Sequence, residues 1–122
     1  MKTSLIVDPS PIVRKVASHL LLTEGLLAVD VATAAEGLEV VRAQEPSLIL
    51  IDSRVGDMEP LAMIRTIRSF NASVTPRIIL TTIENEPMVA SQAIGAGANE
   101  ILIKPYDRFA LREIIHPNLV AA

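Results

Sequence analysis

Residues Ser47 to Asp52 read SLILID, and residues Ser4 to Asp8 read SLIVD. Each is a short run of Ile, Leu and Val that ends in an aspartate. Apolar residues without alternation suit a strand covered on both faces, as in a parallel sheet. Two further runs share this character, Arg77–Thr82 (RIILTT) and Glu100–Lys104 (EILIK). A fifth, Leu27–Thr33 (LAVDVAT), alternates more and carries Asp30, so it reads as an edge strand.

The stretches between these runs have helical punctuation. Ser10 is placed to cap a first helix with Pro11 at its first position, and Gly25 ends it. Ile12, Val13, Val16, Ala17 and Leu20 recur there at helical spacing. Thr33 and Glu36 have capping-box spacing ahead of Leu38, Val40 and Val41. Pro60 opens a third helix that runs through Phe70. Pro87 opens a fourth that ends near Gly95 or Gly97. Asp107 caps a fifth, which Pro117 stops. Strict alternation of β and α with short connections predicts an α/β doubly wound fold with helices on both faces. Right-handed crossovers leave few topologies. Five strands favour the flavodoxin-like order 2-1-3-4-5, an order taken over from folds of this type, with its switch point between strands 1 and 3.

Length and composition narrow the function classes. At 122 residues the chain is read as one domain, residues 1–122. Half the residues are hydrophobic and 20% are charged, which excludes a disordered segment. There is no cysteine, hence no disulfide and no thiolate metal site. Aromatics make up 2%, too few for a base-stacking surface. Net charge is −3 and both halves are weakly acidic, so no nucleic-acid partner is expected. No apolar run approaches the ~20 residues of a membrane span. With no signal peptide visible, a cytoplasmic location without membrane contact is expected.

Ligands of such sheets sit at the carboxyl ends of the strands, beside the switch point. Strand 1 ends in Asp8, strand 3 in Asp52, strand 4 in Thr81-Thr82 and strand 5 in Lys104-Pro105. Strands 1 and 3 are neighbours in the expected order, so Asp8 and Asp52 should face each other. Two close carboxylates repel unless a cation or proton lies between them. Hard oxygen ligands with room for water favour Mg²⁺.

Taken in order, IVDPSPIVRKV (6–16), LILIDSRVGDMEP (48–60), RIILTT (77–82) and GANEILIKPYD (97–107) resemble the receiver domains of bacterial two-component response regulators. The resemblance covers essentially the whole chain. It implies that Asp52 is a phosphoacceptor and Asp8 the first acidic residue after strand 1. It implies that Thr81 is a switch hydroxyl that turns inward toward a phosphoryl group, and that Lys104 pairs with a phosphoryl oxygen. Mg²⁺ would be held by Asp8, Asp52 and the backbone carbonyl of Arg54. The implied donor is a sensor histidine kinase or a histidine phosphotransferase. The implied output is a downstream protein, met by the face of helix 4, strand 5 and helix 5. Such a domain is a phosphoacceptor that assists its own phosphorylation and dephosphorylation, not an enzyme acting on a separate substrate.

The chain departs from the family pattern at several places. The second acidic position after strand 1 is Pro9, which supplies no carboxylate, so weak Mg²⁺ binding is expected. Asp57 and Glu59 are the nearby acids that could substitute in part. The Arg54 side chain either lies over the phosphoryl oxygens or is a solvated loop residue. Thr82 stands where the family has a very small residue, and its bulk should narrow access to the site. The switch aromatic is replaced by Ile101, which has no ring to flip, while Tyr106 matches another aromatic position. Gly56 and Pro60 occupy the family's proline and glycine places in swapped order. His19 and His116 read as structural or surface residues, and Met63 and Met88 as packing. Pro9 and Ile101 leave a second reading open, a pseudo-receiver that docks proteins constitutively. A flavin-binding or enzymatic domain of the same fold is disfavoured, because Asp8-Pro9-Ser10-Pro11 is no glycine-rich phosphate cradle.

Overall fold

The computed structural model describes residues 2–83 and 87–116. The elements are β1 (Lys2–Val7), α1 (Pro11–Thr23), β2 (Leu26–Val31), α2 (Ala34–Gln44), β3 (Leu48–Asp52), α3 (Pro60–Ser69), β4 (Arg77–Thr82), α4 (Pro87–Ala96), β5 (Glu100–Ile103) and α5 (Arg108–Ile115). The strands form one parallel sheet in the order β2-β1-β3-β4-β5, as the sequence led one to expect. Every residue of β3 is buried, as are the last four of β1 and the last five of β4. The alternating run, β2, lies at an edge, with its Asp30 exposed and bonded to Arg14 of α1.

Because successive side chains point to opposite faces, each central strand feeds two cores. Leu5, Val7, Ile49, Ile51, Ile78 and Leu80 pack under α2, α3 and α4. Ile6, Leu50, Ile79 and Leu102 pack under α1 and α5. This double coverage makes the centre of the sheet rigid, and the site stands on its upper edge.

Local signals act where the sequence placed them. The Ser10 hydroxyl accepts from the Val13 amide, with Pro11 opening α1. Thr33 accepts from the Glu36 amide, and the Glu36 carboxylate answers by accepting the Thr33 hydroxyl at 2.8 Å. Asp107 accepts from the Ala110 amide. Of the two glycines that could end α4, Gly97 does so, at φ +122. The third helix stops at Ser69, one residue short of expectation, because Phe70 turns extended. The expected stop at Pro117 lies outside the described residues. Strands β1 and β5 end one residue early, at Val7 and Ile103. Asp8 and Lys104 still donate backbone amides to Val31 and Thr82 while their side chains leave the sheet.

Two polar clamps escaped the sequence reading. Arg68 of α3 donates to the carbonyls of Gly97 (2.9 Å) and Pro76 (2.7 Å) and to the Asn99 side chain (2.8 Å), tying the α4–β5 turn to the start of β4. Glu24, after α1, is approached by Arg108 (3.4 Å), Arg112 (3.5 Å) and His116 (3.7 Å) from α5 and its end. His116 thus faces Glu24, and His19 is exposed. Among the described residues no helix is long and apolar enough to cross a membrane.

Gly97 joins both constraints, since its φ disfavours any side chain and an added Cβ would come 2.7 Å from Cγ of Arg68. Gly97→Ala is expected to lower stability by about 1–3 kcal/mol. A urea melt checks this, and the midpoint should fall with the slope unchanged.

Candidate functional site

Buried polar side chains locate the site. Among the described residues they are Ser4, Asp8, Asp52, Thr81 and Thr82. Ser4 caps its own sheet by donating to the Leu27 carbonyl. The other four stand together at the carboxyl ends of β1, β3 and β4. The pairing of Val7 with Ile51 sets Asp8 beside Asp52, and Asp52 is directly paired with Thr81.

Lys104 completes the group from the end of β5, beside a cis peptide bond to Pro105. Its Nζ lies 2.6 Å from Asp8 Oδ2 and 2.6 Å from Asp52 Oδ1. The other Asp8 oxygen accepts from the Ser10 amide at 2.8 Å. Asp52 Oδ1 also accepts from the Thr81 hydroxyl at 3.2 Å. Asp52 Oδ2 accepts from the Arg54 amide at 3.0 Å and from Arg54 Nε at 3.2 Å. Burial pushes the Asp52 carboxyl up, but the hydrogen bonds and charge of Lys104 and Arg54 outweigh it and hold the group below its ordinary range. Asp52 is thus an ionised, desolvated carboxylate with cations on both oxygens.

The neighbouring residues fall out as follows. Arg54 does not simply wave in solvent, since its guanidinium is on Asp52 although half exposed. Thr81 already points at Asp52, so the expected inward turn needs no swing. Thr82 is buried and lines a cavity beside the site together with Ser53, Arg54, Glu59, Pro60 and Val89. Asp57 is turned to the start of α2. Its two oxygens accept from the Ala34 (2.9 Å) and Ala35 (3.0 Å) amides at the start of α2, and these bonds lower its pKa. Glu59 precedes α3, exposed and without a capping bond. Ile101 is half-buried, paired with Leu80 and packed on the core. Tyr106 packs against the α1/α5 core, and its phenol is pushed up to about 12 by burial and by the negative charges of Asp8 and Asp52.

The profile described as "Response regulator receiver domain" matches residues 4–116. The chain belongs to this family. It is a receiver domain of two-component response regulators. The receiver is 25% identical over 116 residues to the chemotaxis protein CheY of Bacillus subtilis (strain 168), an alignment covering 94% of this chain and 95% of that protein. It is 34% identical over 105 residues to a protein-glutamate methylesterase/protein-glutamine glutaminase of Nocardioides sp., covering 83% of this chain and 28% of that protein. With the transcriptional regulatory protein GlrR of Escherichia coli (strain K12) it shares 31% identity over 111 residues, 91% of this chain and 24% of GlrR. The receiver therefore spans about a quarter of the length of these last two relatives and nearly all of CheY. The solved structure of Vibrio cholerae chemotaxis protein CheY4 has the same fold, with a TM-score of 0.89 at 23% identity over 96% of this chain and 98% of that one.

The ionisation of Asp52 gives a direct test. A carboxyl whose folded pKa is lowered stabilises the fold above its unfolded pKa, and that contribution is lost as pH falls through the folded value. In a ¹³C carboxyl titration the Asp52 midpoint should lie below the ordinary 3.8. Lys104→Met should move it upward, since burial is then opposed by Arg54 alone among the cations.

Proposed function

We propose that this receiver accepts a phosphoryl group on Asp52 from the phosphohistidine of a sensor histidine kinase or histidine phosphotransferase, and signals the change to a protein partner. The observation that carries this reading is the geometry of Asp52, a buried carboxylate kept ionised between Lys104, Arg54 and Thr81. An Asp52 oxygen attacks phosphorus and a new O–P bond forms. The P–N bond of the donor breaks, and its electron pair returns to the imidazole nitrogen. Charge on the phosphoryl oxygens grows in this step, and cations held in a dry site stabilise it. Lys104 supplies one such charge, and the Thr81 hydroxyl supplies a donor.

The donor set is compatible with Mg²⁺. Two carboxylates on adjacent strand ends are hard oxygen ligands, and Mg²⁺ is commonly held by one or two carboxylates plus water. Asp8, Asp52 and the Arg54 carbonyl are the groups that would hold it. When bound, the ion would neutralise phosphoryl charge during transfer. Binding is weak in this reading. Among the described residues no group of three or more His, Cys, Asp or Glu side chains could hold a metal, and the adjacent position is the exposed Pro9.

The output surface in this reading is the face of α4, β5 and α5. Met88, Ile94, Ile103 and Phe109 are exposed on these elements, which favours an apolar protein contact. The domain is a phosphoacceptor and not an enzyme with its own substrate, it works in the cytoplasm, and it takes no nucleic acid or membrane itself. A constitutive docking module is the second reading, favoured by Pro9 and by the ringless Ile101.

Intact mass after incubation with acetyl phosphate separates the two. The phosphorylation reading expects a single phosphoryl adduct that needs Mg²⁺ and is absent from Asp52→Asn. No adduct from acetyl phosphate, and none from a panel of phosphorylated histidine kinases, would overturn the phosphorylation reading and favour the docking one.

A further inference from the structure

We propose that Arg54 is a resident counter-ion that competes with a divalent cation for the Asp52 carboxylate. This rests on the receiver reading above and adds a specificity-determining residue to that site. The carboxylate oxygens of the site are all engaged by the protein itself. Asp8 Oδ1 takes the Ser10 amide, and Asp8 Oδ2 and Asp52 Oδ1 share the Lys104 ammonium. Asp52 Oδ2 takes both the amide and the guanidinium of Arg54. Two carboxylates against two cations leave these four side chains with no net charge. A third acid next to Asp8 would leave one negative charge over, but that place is Pro9, whose ring carries none.

A dication entering this neutral group meets like charge on both sides. Lys104 is held deep, its side chain 8% exposed, whereas that of Arg54 is 51% exposed. Arg54 is thus the cation that can leave without disturbing the core. Its departure uncovers Asp52 Oδ2 and removes one positive charge from the site. Arg54 thereby sets the concentration of metal at which the site loads. Substituting a neutral side chain at this position makes the metal bind more tightly, although no ligand is added.

The test is a titration of ¹⁵N-labelled protein with MgCl₂, followed by amide shifts around residues 8, 52 and 54, for wild type, Arg54→Gln and Arg54→Ala. The expected result is tighter binding in both variants, by about tenfold, the low end of what neighbouring groups contribute at metal sites. The same substitution made in Asp52→Asn should give no gain, because its effect runs through that carboxylate. Equal or weaker Mg²⁺ binding in both Arg54 variants overturns the proposal. So does an equal gain in the Asp52→Asn background, which would reduce Arg54 to a general surface charge. Acetyl phosphate labelling of the same samples keeps the two ideas apart. Tighter metal binding with no labelling, either by acetyl phosphate or by the panel of phosphorylated histidine kinases, sinks the phosphoacceptor reading and leaves the counter-ion role standing. Labelling with unchanged metal affinity does the reverse.

Discussion

Asp8 and Asp52 share a buried corner because the Lys104 ammonium lies 2.6 Å from an oxygen of each. Without a cation between them, two desolvated carboxylates at neighbouring strand ends would repel, and one would be driven to take a proton. The bridge, together with the Arg54 contacts, holds Asp52 toward its ionised form. It also joins the ends of β1 and β3, which pair directly, to the end of β5, which the backbone reaches only through β4. Removing one partner from such a group leaves an uncompensated buried charge, whereas the intact group adds little net stability. The arrangement is a balance of buried charge more than a fold-stabilising device.

The apolar sheet and the polar corner are two consequences of one pattern. Side chains of the central strands alternate between two covered faces, so β1, β3 and β4 hold no charge between their first residues and their carboxyl ends. At the ends the backbone still bonds forward, from Asp8 to Val31 and from Lys104 to Thr82, and this aims the departing side chains. The loop after β3 is held in turn by buried Val55 and by Asp57, which reaches across to the first amides of α2. Asp57 offsets the partial positive charge of that helix end. It thus links the segment beside Asp52 to a helix on the flank of the sheet.

What could be read from the sequence is what short-range chemistry determines. Runs such as SLILID, the caps Ser10, Thr33 and Asp107, and a stop at Gly95 or Gly97 act over a few residues, and their geometry follows from residue type. The four residues of the corner were legible because each ends a strand and the strand order brings them together. Partnerships across long separations were not legible. Arg68 meets Asn99, Asp57 meets Ala34, and Arg108 meets Glu24 only once helices are packed, and many charged residues on the chain were formally eligible. Arg54 lay between these cases. Its closeness to Asp52 was evident, but which way its guanidinium points depends on the turn that also brings its amide onto Asp52 Oδ2.

Tyr106 is the one tyrosine of a chain that has no tryptophan. Its ring is packed into the core beneath the corner, and its phenol feels the charges of Asp8 and Asp52. When its own absorption band is excited, beyond that of the two phenylalanines, emission consequently comes from a single ring close to Asp8 and Asp52. An event that alters charge there, whether a cation, a phosphoryl group or a proton, acts on that one ring. The molecule carries its own optical reporter at the place where its chemistry is expected, and it needs no label attached.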